Sequence, residues 1–207
     1  MKKPANILLT ADGLSKRYGS GWIFRGVSFN ARTGESLAIT GPNGSGKSTL
    51  CEILAGVRRE SAGALACTLD GEPLSAAQRR ALVGFASPRL SLYGDLTAGE
   101  TVSFVCTSLG AGEGHARDLC ARMGLERHMG KPVRHFSSGM RQRLKIALAL
   151  AHEPSVLLLD EPGMNLDAHG KEVLASIVHE LLPSTLIIIA TNEESEAGLC
   201  SGRVSLA

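Results

Sequence analysis

The 207-residue chain lacks any apolar run near the ~18 residues that a membrane-spanning helix takes. Its N-terminal MKKPANILLT is basic but holds no apolar stretch of signal-peptide length. Direct membrane insertion is therefore not expected, and any membrane role falls to a separate partner chain. Charge bias is missing too. A formal net charge of +2 leaves no nucleic-acid footprint, so affinity for phosphate has to be local. Cys51, Cys67, Cys106, Cys120 and Cys200 form neither a CxxC pair nor a Cys/His metal spacing, and read as small apolar residues of a reducing cytosol. No repeat or low-complexity segment is visible. The length fits one domain with an inserted subdomain.

What is present is an alternation of elements. From Ile7 to Phe29, short apolar runs punctuated by Gly13, Gly19 and Gly21 predict antiparallel strands joined by turns. SLAITG, Ser36 to Gly41, reads as a buried strand entering a glycine-rich loop. Thr49 to Val57 then carries helix-spaced Leu50, Ile53, Leu54 and Val57. A second β-like patch is expected over Gly63 to Leu74, and a short helix over Gln78 to Ala81. Thr97 to about Met129 is helical, broken by Gly110, Gly112 and Gly114. Gly139 to His152 puts Met140, Leu144, Ala147, Leu148 and Ala151 on one face, and Pro154 ends it. Val156–Leu159 and Leu186–Ile189 are continuous apolar runs, as in strands buried on both faces. Together these argue a mainly parallel α/β sheet.

Gly41-Pro42-Asn43-Gly44-Ser45-Gly46-Lys47-Ser48-Thr49 fits G-x-x-x-x-G-K-[ST] between a predicted strand and a predicted helix. The glycines let successive N–H groups curl toward an anion, and the helix start reinforces that field. Lys47 is then expected to reach the β- and γ-phosphates, and the Ser48 hydroxyl to ligate Mg²⁺. VLLLDE puts Asp160 at a strand tip, where it either holds Mg²⁺ or caps a helix; the phosphate loop upstream favours the metal. Glu161 is placed to orient or deprotonate the attacking water. Asn192 is the first fully polar side chain past the Leu186 run, at the end of a strand where ligands bind in open α/β sheets.

HFSSGMRQR, His135 to Arg143, opens a helix with serines, a glycine and a basic first turn. Alone, it reads as a serine cap with a solvated basic face or as an anion site. FSSGM resembles the LSGGQ signature of ABC-transporter ATPase subunits, with Met140 at that family's spacing before Asp160. LSKRYG resembles the family's adenine-contacting loop, ITGPNGSGKSTL its phosphate loop, and LLLDEPGMNLD its acidic strand and following loop with Asn165, Leu166 and Asp167. The likeness spans nearly the whole chain.

The resemblance implies a single P-loop NTPase domain over 1–207. Its antiparallel β parts are expected near 5–30 and 62–74, and its inserted α-helical subdomain near 88–145. Tyr18 would stack on adenine, although the residues alone also allow a half-buried strand tyrosine. Two chains, as a homodimer, would sandwich two ATP molecules. Ser137, Ser138 and Gly139 of one chain would meet the nucleotide of the other, with Asp167 at the contact. The cofactors implied are ATP and Mg²⁺. The role implied is the cytoplasmic ATPase subunit of an ABC transporter, on the inner face of the membrane through spanning partner chains.

Two positions depart from the family pattern. VGFASPRLSLYGDLT, Val83 to Thr97, puts Pro88 where a glutamine is usual, and Ser87 could substitute weakly. Asn192 stands where a histidine usually contacts the γ-phosphate, and an amide carries no positive charge. Slow hydrolysis with intact binding is the expectation. The alternative is a nucleotide-responsive regulatory module whose hydrolysis is incidental. Arg89–Leu96 is either a docking surface or an ordinary exposed loop.

Overall fold

The structure, a computed structural model, describes residues 5–19 and 21–207. In chain order it runs β1 (Ile7–Tyr18), β2 (Gly21–Arg32), β3 (Ser36–Thr40), α1 (Lys47–Leu54), β4 (Ala62–Leu69), β5 (Glu72–Pro73), α2 (Ala76–Ala81) and β6 (Val83–Ala86). Then come α3 (Ala98–Leu109), α4 (Glu113–Arg122), α5 (Ser138–Ala149), β7 (Val156–Asp160), α6 (Ala168–Leu181), β8 (Leu186–Ala190), α7 (Glu194–Ala197) and β9 (Gly202–Ser205).

Two sheets form. The antiparallel one has the order β2-β1-β4-β5, and the other, β6-β7-β8-β3-β9, is parallel at every pairing. The apolar runs of β7 and β8 explain the second: each residue is buried, because both faces of a parallel sheet are covered. Successive side chains point to opposite faces. Leu157, Leu159, Ile187 and Ile189 join the core beneath α3 to α6, whereas Val156, Leu158, Leu186 and Ile188 join the core with α1 and the antiparallel strands. This is the P-loop NTPase fold class expected from the sequence, with its antiparallel part and its helical insertion.

Some local expectations shift. Gly13 sits inside β1, not in a turn: the register with β2 slips between Ala11 and Leu14, and Gly13 takes the left-handed conformation of a bulge. α1 begins at Lys47, so the end of the phosphate loop is already helical, and it stops at Leu54. Gly114 lies within α4 and breaks nothing. α5 starts at Ser138 and ends at Ala149, short of His152. Its last turn tightens, with the Leu150 and Ala151 N–H groups bonding three residues back.

Candidate active site

β3 delivers the chain into the loop Gly41–Gly46, and α1 follows at once. Gly46 makes that turn possible. Its φ is +99°, and a Cβ there would lie 2.5 Å from Ile23 Cγ2 and 2.9 Å from Phe24 Cδ1. The loop therefore closes on β2 with no room for a side chain. Lys47 is buried, and its Nζ donates to the carbonyls of Gly41 (2.8 Å) and Pro42 (3.3 Å) and to Asn192 Oδ1. These oxygens occupy the ammonium as phosphate oxygens could. The Ser45 hydroxyl is buried in the same loop with no hydrogen-bond partner among the described residues, which leaves a donor for a ligand.

Asp160 ends β7 and is 1 % exposed. Its two oxygens accept from Ser48 Oγ at 3.0 Å and Ser87 Oγ at 2.8 Å. A buried carboxylate beside hydroxyl oxygens is a hard donor set of the kind Mg²⁺ takes, so the residues present fit that ion. Ser87 therefore sits at the acidic centre, while Pro88 offers only its carbonyl, which accepts from Lys145 Nζ at 2.8 Å.

Glu161 follows in the left-handed region, φ +47°, fixed by its N–H to Ala190 O at 2.8 Å. Its carboxylate lies 3.7 Å from Lys47 Nζ. Burial raises its pKa above the ordinary carboxylate range, and Lys47 and the Asn192 N–H partly offset this. A cleft of about 550 Å³ opens here, lined among others by Tyr18, Ile23, Lys47, Arg58, Arg89 and Glu161. The loop lysine, the Ser48 hydroxyl and the Glu161 carboxylate thus meet at one cleft, with Asp160 and Ser87 bonded behind Ser48.

The family model described as "ABC transporter" matches residues 24–164. The lantibiotic transport ATP-binding protein SrtF of Streptococcus pyogenes is 34% identical over 185 residues, covering 89% of this chain and 80% of that protein. The linearmycin resistance ATP-binding protein LnrL of Bacillus subtilis is 30% identical over 195 residues; 91% of this chain is covered, but it spans only 62% of that relative. The dimeric structure of the bacterial ABC transporter cassette MJ0796 superposes with a TM-score of 0.86 at 25% identity, over 96% of this chain and 94% of that one. A second structure of that cassette, in a post-hydrolysis state, holds ADP and Pi. The chain belongs to the ABC transporter ATP-binding family.

As an ABC-type ATPase, the protein arranges its motif residues unevenly. Tyr18 and Lys47 to Thr49 share the cleft with Asn43, Gly44 and Gly46. Gly41 and Pro42 line an adjoining hollow with Asn192. Ser137, Ser138 and Gly139 do not line the cleft of their own chain. The Ser137 hydroxyl caps α5, accepting from Met140 N at 3.2 Å. Gly139 has no space for a side chain, since a Cβ would lie 2.5 Å from Asn165 O. Asp167 caps α6 through Gly170 N (2.8 Å) and pairs with Arg143 at 2.6 Å.

Three cleft residues, Ile23, Arg58 and Arg89, have no expectation from the sequence as parts of the site. Arg58 lies 5.3 Å over the Tyr18 ring, close enough for a cation–π contact. Its Nε donates to Glu52 Oε2 at 2.5 Å, and Arg89 stands 3.7 Å from the same carboxylate. The basic pair Arg58-Arg59 after α1 was the available signal, but nothing local says that it folds back on Tyr18.

Proposed function

We propose that the chain is the ATPase subunit of an ABC transporter and drives transport through ATP-dependent dimerisation and hydrolysis. One observation carries this reading: Lys47, Ser48 and Glu161 line one cleft, and the buried Asp160 stands directly behind it, bonded to the Ser48 hydroxyl. The loop N–H groups and Lys47 bind the β- and γ-phosphates, and Tyr18 takes the base with Arg58 beside it. Ser48 and Asp160 would hold Mg²⁺, which when bound neutralises charge on the phosphate oxygens. Glu161 accepts the proton of the attacking water. Its raised pKa makes it a better acceptor than an ordinary surface carboxylate, which suits that task.

A single chain leaves Ser137, Ser138 and Gly139 away from its own cleft. In a pair of copies, the start of α5 in each supplies the second anion-binding end to the other's nucleotide. Loss of the γ-phosphate then removes what holds the two together.

Membrane coupling falls to partner chains: among the described residues, no helix is long and apolar enough to cross a membrane. The expected position is the cytoplasmic face. A groove of about 270 Å³, lined by Phe85, Leu90, Leu92, Val105 and Leu109, is the proposed seat of an amphipathic segment of that partner. The nature of the cargo is left to those chains.

Pro88 and Asn192 favour a second reading, in which ATP-driven dimerisation regulates a partner and hydrolysis is slow. Turnover by the purified chain separates the two. The decisive variant is Glu161→Gln, expected to abolish turnover and to trap an ATP-bound dimer on size exclusion. Hydrolysis persisting in that variant removes Glu161 from the role of base.

A further inference from the structure

A second glutamate lies behind the loop that carries Glu161. α7 is a single helical turn following β8 and Asn192, and its Glu196 side chain turns inward, 5 % exposed. One carboxylate oxygen accepts the N–H of Gly163 at 2.8 Å, and the other is buried. Burial raises its pKa above the usual carboxylate range, and the Thr191 side chain and the Gly163 N–H partly offset this. A buried carboxyl is costly unless its bonds hold it. Its position shows what it fixes.

Gly163 is the second residue after Glu161. A Cβ on Gly163 would collide with the Glu196 carboxylate, so the carboxylate occupies the space that the glycine leaves free. The loop from Glu161 to Asn165 is bent twice into left-handed conformations: Asn165 (φ +64°) tolerates this as asparagines do, whereas Glu161 (φ +47°) keeps it only because its surroundings impose it. Within the loop, Met164 N bonds Glu161 O at 3.1 Å and Leu166 N bonds Gly163 O at 3.0 Å. From the α5 side, Gln142 Nε2 donates to Pro162 O at 3.1 Å. From the opposite side, the side-chain hold is Glu196 on Gly163. The same segment that carries Glu196 also brings Asn192 to Lys47.

We infer that Glu196 is a positioning residue for hydrolysis: by accepting the Gly163 N–H, it holds the loop in the conformation that aims Glu161 into the cleft. This rests on the reading of Glu161 as the base. Displacing a reacting group by about 1 Å can cost roughly 100-fold in rate, so a loosened loop should appear in kcat before it appears in nucleotide binding.

The test is steady-state ATP turnover by the full chain, with KM for ATP measured alongside. Glu196→Ala is expected to lower kcat by about tenfold or more and to leave KM within about twofold. Glu196→Gln keeps an oxygen that accepts the Gly163 N–H and is expected to retain at least about half of kcat. Gly163→Ala, which forces a methyl group against the carboxylate, should also lower kcat. Adding Glu196→Ala to it should restore part of that loss, a coupling that independent sites do not show.

Wild-type kcat in Glu196→Ala overturns the inference, as does a Gln variant impaired as deeply as Ala. If Glu196→Ala does not fold, Glu196→Gln and Gly163→Ala decide. Retained kcat in the first, with lost kcat at unchanged KM in the second, supports positioning; wild-type kcat in Gly163→Ala overturns it. Failure of the underlying reading is visible separately, as continued turnover in Glu161→Gln.

Discussion

Asn192 shows how one side chain can sit in the right place with altered chemistry. Its Oδ1 accepts from Lys47 Nζ while its Nδ2 donates to Asn43, so the amide ties the lysine to the tip of the phosphate loop. In the proposed site, phosphate would replace the amide oxygen on Lys47. The amide still offers a donor but no net charge, whereas an imidazolium adds a cation where negative charge develops. Asn192→His is therefore expected to raise kcat roughly three- to tenfold. Steady-state Mg-ATP turnover checks this, and an unchanged or lower kcat counts against it. The residue's place was legible, because the apolar run of β8 ends just before it. Its bond to Asn43 was not, since that partner lies 149 residues away.

At the scale of elements, the start of α5 and the loop after β7 are locked by a missing side chain. Gly139 on α5 faces the Asn165 carbonyl at a distance that excludes a Cβ. Alanine there gains about 1 kcal/mol of helix propensity but forces the two segments apart at a cost of about 1–3 kcal/mol. The net expectation for Gly139→Ala is a loss of about 1 kcal/mol, read as a lower urea midpoint at unchanged slope. The sequence announces α5 through its apolar face. It does not show that the glycine also meets Asn165, a contact made across the fold.

The same distinction runs through the other elements. β3, β7 and β8 were readable because burial on both faces leaves unbroken apolar runs. Gly13 was misplaced because bulge and turn ask the same of a residue, and only the partner strand decides between them. β9 is four residues, GRVS, held by long-range pairing with β3. In the site, the contiguous motifs around Lys47 and Asp160 were readable. Arg58, Arg89 and Glu196 were not, because separate segments bring them together.

Across the whole molecule, one short segment connects the nucleotide cleft to the groove proposed for the membrane partner. Ser87 bonds Asp160, Arg89 lines the cleft, and Leu90 lines the groove. Lys145 holds the segment from α5 through the carbonyls of Ser87 and Pro88, and burial lowers its pKa. A partner segment seated on Leu90 thus bears on a residue three positions from the Asp160 contact, even without a glutamine at position 88. The groove's surroundings suit an apolar visitor: Leu90 and Leu109 are partly exposed, and Tyr93 and Phe104 stand outside in an edge-to-face pair at 5.7 Å. Exposed apolar side chains gathered around a groove mark interaction surfaces more often than isolated ones do. Leu109 lines the groove but not the nucleotide cleft, which makes it the cleaner probe. Leu109→Asp places an unpaired charge where the partner's apolar face would rest, and burying it on docking is strongly unfavourable. The expected outcome is loss of co-purification with the membrane subunit and of any stimulation of turnover by it, with the basal ATPase rate of the free chain within about twofold of wild type. Intact co-purification moves the docking surface elsewhere on the molecule, and a collapse of basal turnover shows that the groove supports the fold of the cleft as well as the partner.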